Sequence, residues 1–271
     1  MSKSKPKAKT WFVFPDVHFP DHDESALEAA LKAHAIIKPD YTLFLGDVLD
    51  CGIFSMHPKR KISENQSYDF KKLETDPCNK MLDRVQKNTR IHTHFLGGNH
   101  EERIERWAVG AGAVGESLYS SISPENTLAR GRKNFTYTPY SPTTGDRLGF
   151  VQIVKPSPQM MSGGLVAVHG WSFSKHAAYV HLEKSRSQSI IFGHTHRAQT
   201  IVSRDTWTGA PIKAFNPGTL SKLQPLYMTS NPSEWSHGFG VIYVGQRSWT
   251  EYMINVNRGY AVLPDGTEVK A

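Results

Sequence analysis

Cysteine is nearly absent from this chain: its 271 residues include two, Cys51 and Cys78. No CxxC pair occurs, which excludes a disulfide framework and a structural zinc site of paired thiolates. A reducing, cytoplasmic setting is the simplest reading. No apolar run approaches the ~20 residues that a membrane helix requires, so no membrane partner is expected. The basic start MSKSKPKAKT leads into WFVFP, where Pro15 cuts the run far short of a signal-peptide core. Internal repeats are lacking too. What is present suffices for a core, with 38% hydrophobic and 11% aromatic residues, and this excludes wholesale disorder. The length fits a single domain over 11–271 behind a basic flexible tail at 1–10.

Positive charge is in excess, with 32 Lys and Arg against 25 Asp and Glu, a net +7 and a pI near 9.3. That balance permits an anionic partner, nucleic acid included. Four of the lysines stand in the first nine residues, and on composition a solvated basic surface is the simpler account of the charge. Charge alone decides nothing.

Periodicity gives the order of elements. Trp11–Phe14 reads as a buried strand, and Asp21 or Asp23 caps a helix over about Glu24–Lys38 with Leu27, Leu31 and Ala35 on one face. Tyr41–Leu45 and Ile91–Leu96 are further strands; Phe70–Asn88 is helix-like with Pro77 interrupting it, and Glu101–Val109 begins another helix. This β-α-β-α-β-α order defines an α/β fold with a parallel or mixed sheet. Residues 110–164, rich in Gly, Ser and Pro, read as a cap-like insertion. Strands follow at Leu165–Val168 and Ser189–Phe192 around a helix at Lys175–Ser187. The tail alternates strand-like pieces (Thr200–Ser203, Ile212–Phe215, Phe239–Val244, Trp249–Asn255) with turns and is expected to form a second sheet.

Five of these strands end in loops of ligand-type residues: Asp16-Val17-His18, Gly46-Asp47-Val48-Leu49-Asp50, Gly98-Asn99-His100-Glu101, His169-Gly170 and Gly193-His194-Thr195-His196. In open α/β sheets such strand ends converge on one edge. A polar set buried there without partners costs a few kcal/mol per group. Oxygen and imidazole donors without thiolate suit Mn, Fe, Co, Ni or Zn rather than calcium or iron–sulfur clusters. Taken singly, Gly-Asp and Gly-Asn are ordinary turn pairs; taken as an ordered set, they point to metal ligation.

The order and spelling of these loops resemble the calcineurin-like metallophosphoesterase superfamily, whose motifs run D-x-H, G-D-x-x-D, G-N-H-[DE], H-G and G-H-x-H. The resemblance spans Asp16–His196, and Asn216-Pro217-Gly218-Thr219 is similar to a further family turn. It implies a double β-sheet sandwich flanked by helices and two divalent transition metals about 3.5 Å apart, with manganese favoured and Fe, Ni, Co or Zn as alternatives. Carried over, Asp16, His18 and His196 hold the first metal, Asn99, His169 and His194 hold the second, and Asp47 bridges them. A metal-bridging hydroxide attacks phosphorus in line. His100 meets the leaving-group oxygen as acid or electrostatic stabiliser, and Asp50 either orients a neighbouring histidine or caps a turn.

Other residues divide between site and scaffold. His176 has a substrate role or starts a helix; Lys59 and Arg60, with His57 and Lys61, form a basic rim for phosphate or a solvated loop. Trp235 and His237 line the cleft or belong to the core. Glu101 and Glu102 read as first-turn residues favoured by the helix dipole, and His92 and His94 as satisfied structural histidines. Serine/threonine phosphatases carry phosphate-gripping arginines beside two of these motifs, at Cys51 and just before the G-N-H-E stretch, and this chain has neither, so a phosphoprotein substrate is not expected. The stretches LFLGDVLD, GGNHEERIERW, IIFGHTHR and EWSHGF are similar to a phage and bacterial group, located in the host cytoplasm when phage-encoded. The expectation is a phosphodiesterase acting on nucleic acid or nucleotide diesters. The alternatives are a phosphomonoesterase of small metabolites and a catalytically silent binding protein.

Overall fold

A computed structural model describes residues 7–55, 67–87, 90–140, 149–185, 187–206, 208–225 and 233–271. Lys59, Arg60 and the rest of the basic loop lie outside these residues. Two sheets face each other. The first orders its strands β11-β10-β1-β2-β3-β4, from Trp249–Asn255 (β11), Gly238–Val244 (β10), Lys9–Phe14 (β1), Tyr41–Phe44 (β2), His92–Leu96 (β3) and Phe135–Thr138 (β4). The second runs β5-β6-β7-β9-β8, from Phe150–Val154 (β5), Leu165–Val168 (β6), Ser189–Phe192 (β7), Pro211–Asn216 (β9) and Gln199–Arg204 (β8). A hairpin of β12 (Tyr260–Val262) and β13 (Glu268–Lys270) completes the strands among the described residues.

The period-2 alternation of β1 explains the layering. Trp11 and Val13 face inward and pack with Leu43, Leu45, Ile191, Phe215 and Ile242 between the sheets. Phe12 and Phe14 face outward against helix α1 (Glu24–Ile37) and helix α2 (Asp76–Val85), together with Phe44, Phe95, Leu27, Leu31 and Leu82. Beyond the second sheet, Val166, Ile190 and Phe192 pack on helix α5 (Ala177–Lys184) through Ala178 and Leu182. The result is an α-β-β-α sandwich. Helix α1 starts where the side chain of Asp23 accepts from Ala26 N at 2.8 Å, a cap worth about 1 kcal/mol.

Two details differ from the sequence expectation, and the insertion gains its internal elements. The tail does not build one sheet: β8 and β9 join the second, while β10 and β11 return to extend the first beyond β1. Apolar alternation fixes the period of a strand but not its partner, so this assignment was not legible. Pro77 does not interrupt its helix. A π-helical turn at Lys71–Thr75 leads into α2, and Pro77 sits in the first turn of α2, where its missing N–H costs nothing. Residues 110–164 carry helix α4 (Gly112–Ile122), packed on helix α3 (Glu102–Gly110), and they supply β4 and β5, one edge strand to each sheet.

Candidate metal centre

The strands β1, β2 and β3 run parallel in one sheet, and β6 and β7 run parallel in the other. Their C-terminal ends meet at one rim of the sandwich. Asp16 and His18 follow β1; Asp47 and Asp50 follow β2; Asn99 and His100 follow β3; His169 follows β6; His194 and His196 follow β7. Five of these residues adopt the left-handed backbone: Asp16 (φ 27°), His18 (56°), Asp47 (49°), His194 (69°) and His196 (58°). Such φ values cost of order 1 kcal/mol or more for residues other than glycine, and they cluster where function requires them. Glycine is needed alongside for a different reason. A Cβ on Gly98 would stand 2.1 Å from Asp47 Oδ1, and one on Gly193 would stand 2.4 Å from Asp16 Oδ2.

Two groups of side chains that could hold a metal ion result: Asp16, His18 and His196, and Asp47, His169 and His194, each with its ligand atoms within 4.8 Å of one another. In the first, His18 Nε2 faces His196 Nε2 at 3.0 Å and Asp16 Oδ1 lies 3.4 Å from the same His196 nitrogen. In the second, His169 Nε2 is 3.2 Å from Asp47 Oδ2 and 3.0 Å from Asn99 Oδ1. Asp47 Oδ2 also lies 3.8 Å from His18 Nε2, so one carboxylate reaches a histidine of each group. His169 Nδ1 donates to Leu45 O at 2.7 Å, which aims Nε2 at the cluster.

The donor set fits divalent cations. Asp16 Oδ2 and His196 Nδ1 are buried without a hydrogen-bond partner, whereas buried polar atoms are normally satisfied. Two imidazole nitrogens in mutual contact are satisfied by one shared proton or one cation. Burial lowers His18 and His194 to about 4, which leaves both as lone-pair donors at neutral pH. Burial also opposes a charged His169, but the adjacent Asp47 overrides it and raises this group to about 9.

His100 stands beside both groups, its Nε2 3.8 Å from Asp47 Oδ2. Its Nδ1 lies 2.8 Å from Asp50 O and 3.1 Å from Asp50 Oδ1, and His18 Nδ1 is 3.6 Å from the same Asp50 oxygen. Burial works against the Asp50 carboxylate, yet the adjacent His100 and His18 imidazoles hold its pKa well below the usual carboxylate range. A third candidate group, His18, Asp50 and His100, is therefore this orienting contact seen from another side.

Two features escape a reading of the sequence. Glu101 is not merely a first-turn residue. It is buried, and its carboxylate accepts from the backbone N–H groups of Asp47, Val48, Leu49 and Gly98 at 2.7–3.0 Å. Burial and Asp47 push its pKa up, while the Leu49 and Gly98 N–H groups pull it down. A second buried acid, Glu74, accepts from Cys51 N at 2.7 Å at the far end of the same loop. The Asn216–Thr219 turn laces the remaining loops. Asn216 Nδ2 donates to Gly193 O and Thr195 Oγ1, and Thr219 Oγ1 donates to Asp16 O.

At the rim, Phe173 is 79% exposed with its ring 6.2 Å from that of His194, and Trp235 packs edge-on against His196 at 4.2 Å. Arg197 ties these two walls together through Phe173 O, Ser174 O and Glu234. His176 is exposed just before α5, and its ring contact is with Tyr179 rather than with the cluster. His237 bonds Ser221 O as part of the scaffold.

The profile of the calcineurin-like phosphoesterase family matches residues 12–198, a span that contains every one of the clustered loops. The chain belongs to this family. Among solved structures it is similar to Vacuolar Protein Sorting 29 from Cryptosporidium parvum, at 14% identity and TM-score 0.50, over 98% of this chain and 100% of that one. Chaetomium thermophilum Vps29 (14% identity, TM-score 0.48, 97% and 92% covered) and Yfce, a phosphoesterase from E. coli (14%, 0.39, 96% and 96%), lie further away. The likeness to the Cryptosporidium protein shows the fold alone. No curated protein matches the sequence significantly.

Proposed function

We propose that this chain is a dinuclear-metal phosphodiesterase acting on nucleic acid or nucleotide diesters. One observation carries the reading: a single Asp47 oxygen reaches histidines of two separate metal-competent groups, with His100 at the same carboxylate. Asp16, His18 and His196 would hold one cation, Asn99, His169 and His194 the other, and Asp47 both. Divalent cations bound there supply Lewis acidity toward phosphoryl oxygens and a water acidic enough to act as nucleophile near neutral pH.

The chain's own residues do the rest. Asp50 would orient His100, and His100 would meet the leaving oxygen as acid or electrostatic stabiliser. The +7 net charge favours a polyanion, and the exposed face of Phe173 beside the cluster suits stacking of a base. Manganese is the favoured metal on the donor set.

The test reconstitutes the protein with Mn, Ni or Zn and screens bis-p-nitrophenyl phosphate, p-nitrophenyl phosphate, cyclic nucleotides, and single- and double-stranded DNA. Faster turnover of the bis ester than of the monoester supports the proposal. The reverse order assigns a phosphomonoesterase of small metabolites. No turnover together with tight binding of a partner assigns a binding protein. An anomalous-scattering map with fewer than two metal peaks at the rim removes the dinuclear assignment.

A further inference from the structure

The candidate centre is lined by carboxylates, an amide and imidazoles, and none of the five stretches that supply them (16–18, 46–50, 98–101, 169–170 and 193–196) contains an arginine. The structure delivers an arginine from another element. Arg103 lies in the first turn of α3, three residues after His100, and folds back over it. Its Nη1 donates to Asp50 O at 2.8 Å and its Nη2 contacts His100 Nε2 at 2.9 Å. A guanidinium carries five N–H donors and no acceptor, so His100 Nε2 accepts and its Nδ1–H donates to Asp50. The guanidinium thus occupies the one imidazole nitrogen that faces Asp47 and the metal-competent groups. Two of its five donors are used; the other three have no protein acceptor among the described residues.

We infer that Arg103 is the phosphate-binding arginine of this site, poised on His100 Nε2 until a phosphoryl oxygen takes that place. Bracing the Asp50 carbonyl would need one donor of any kind. A half-buried, planar, permanently charged fork held at the mouth of the cluster matches two phosphoryl oxygens at once. Arrival of the phosphate moves Nη2 from nitrogen to oxygen and leaves His100 Nε2 open to a proton from solvent, which it can pass to the leaving oxygen. This inference rests on the phosphoesterase reading for its substrate, but its test does not require turnover.

The test is calorimetric titration of inorganic phosphate into the manganese-loaded protein, for the parent, Arg103→Ala and Arg103→Lys, each with His100 intact and as His100→Ala. Loss of a charge-assisted phosphate contact weakens binding by about 10- to 100-fold. The expected result is that loss in Arg103→Ala in both backgrounds, with two manganese ions retained and far-UV circular dichroism unchanged, and partial recovery in Arg103→Lys. Unchanged phosphate affinity overturns the inference. So does a loss that vanishes in the His100→Ala background, which would make Arg103 a positioning residue acting through the imidazole. If no phosphoester is hydrolysed while the phosphate effect persists, the esterase reading fails and the arginine assignment stands.

Discussion

At the level of single residues, the division of labour between neighbours in Gly98-Asn99-His100-Glu101 is the sharpest feature of the chain. Asn99 turns to His169, His100 to Asp50 and Arg103, and Glu101 to three backbone N–H groups of the loop after β2 and to that of Gly98 in its own loop. On the proposed roles, His100→Ala keeps both metals but lowers kcat by about 10²- to 10⁴-fold, the range for loss of a general acid. Asp47→Asn loses metal and turnover together. Metal content by elemental analysis alongside kcat separates the two. Glu101→Gln replaces an acceptor oxygen with an amide N–H that faces donors, and is expected to destabilise the metal-free protein by about 1–3 kcal/mol in urea titration. The positions of the clustered residues were legible because each follows a strand end, whose apolar run and adjacent glycine or proline are local features. The job of Glu101 was not, because three of its partners lie more than fifty residues earlier and its place before a helix offered a sufficient local explanation.

Among the elements, the loop after β2 depends on what grips it. Glu101 holds its start and Glu74, from the π-helical turn, holds Cys51 at its end. Burial raises Glu74 from 4.5 to about 8, although the Tyr68 hydroxyl and Cys51 N–H lower it. With the folded pKa above the unfolded one, the folded state binds the extra proton between these values. Stability therefore falls as pH rises from about 4.5 to about 8, by on the order of 4–5 kcal/mol when complete. Glu74→Gln mimics the protonated acid and flattens that slope. Urea midpoints between pH 5 and pH 9, compared for the two proteins, check this; an unchanged slope would remove Glu74 as its origin. The helices and most strands could be read from periodicity and caps, Asp23 being the plainest. Which sheet β8 to β11 would join could not, since pairing is decided by packing across the sandwich.

For the molecule as a whole, the cluster sits at the rim of two packed sheets and does not supply their core. Chelation is accordingly expected to leave the far-UV spectrum unchanged. A metal present at about a hundredfold over its Kd contributes about 2.7 kcal/mol, so its removal should lower Tm by roughly 5–10 °C. Loss of secondary structure on chelation would mean that the metals hold the fold itself. The described residues include no helix long and apolar enough to cross a membrane.

The pairing of β1 with β10 has a consequence for how the protein is made. Lys9–Val13 pair with Gly240–Val244, so β1 leaves the ribosome more than 200 residues before the strand that covers this edge. At about 5–20 residues per second, one edge of β1, flanked by Trp11, Phe12, Val13 and Phe14, stands open for on the order of 10–40 s. Asp16 waits as long, because its carbonyl is held by Thr219 and Leu220. A nascent chain is thus expected to expose an adhesive strand edge and an unformed cluster until Thr219 and β10 have emerged. Slower growth at low temperature or added chaperone should raise the soluble yield, and termination just before Gly238 should abolish it.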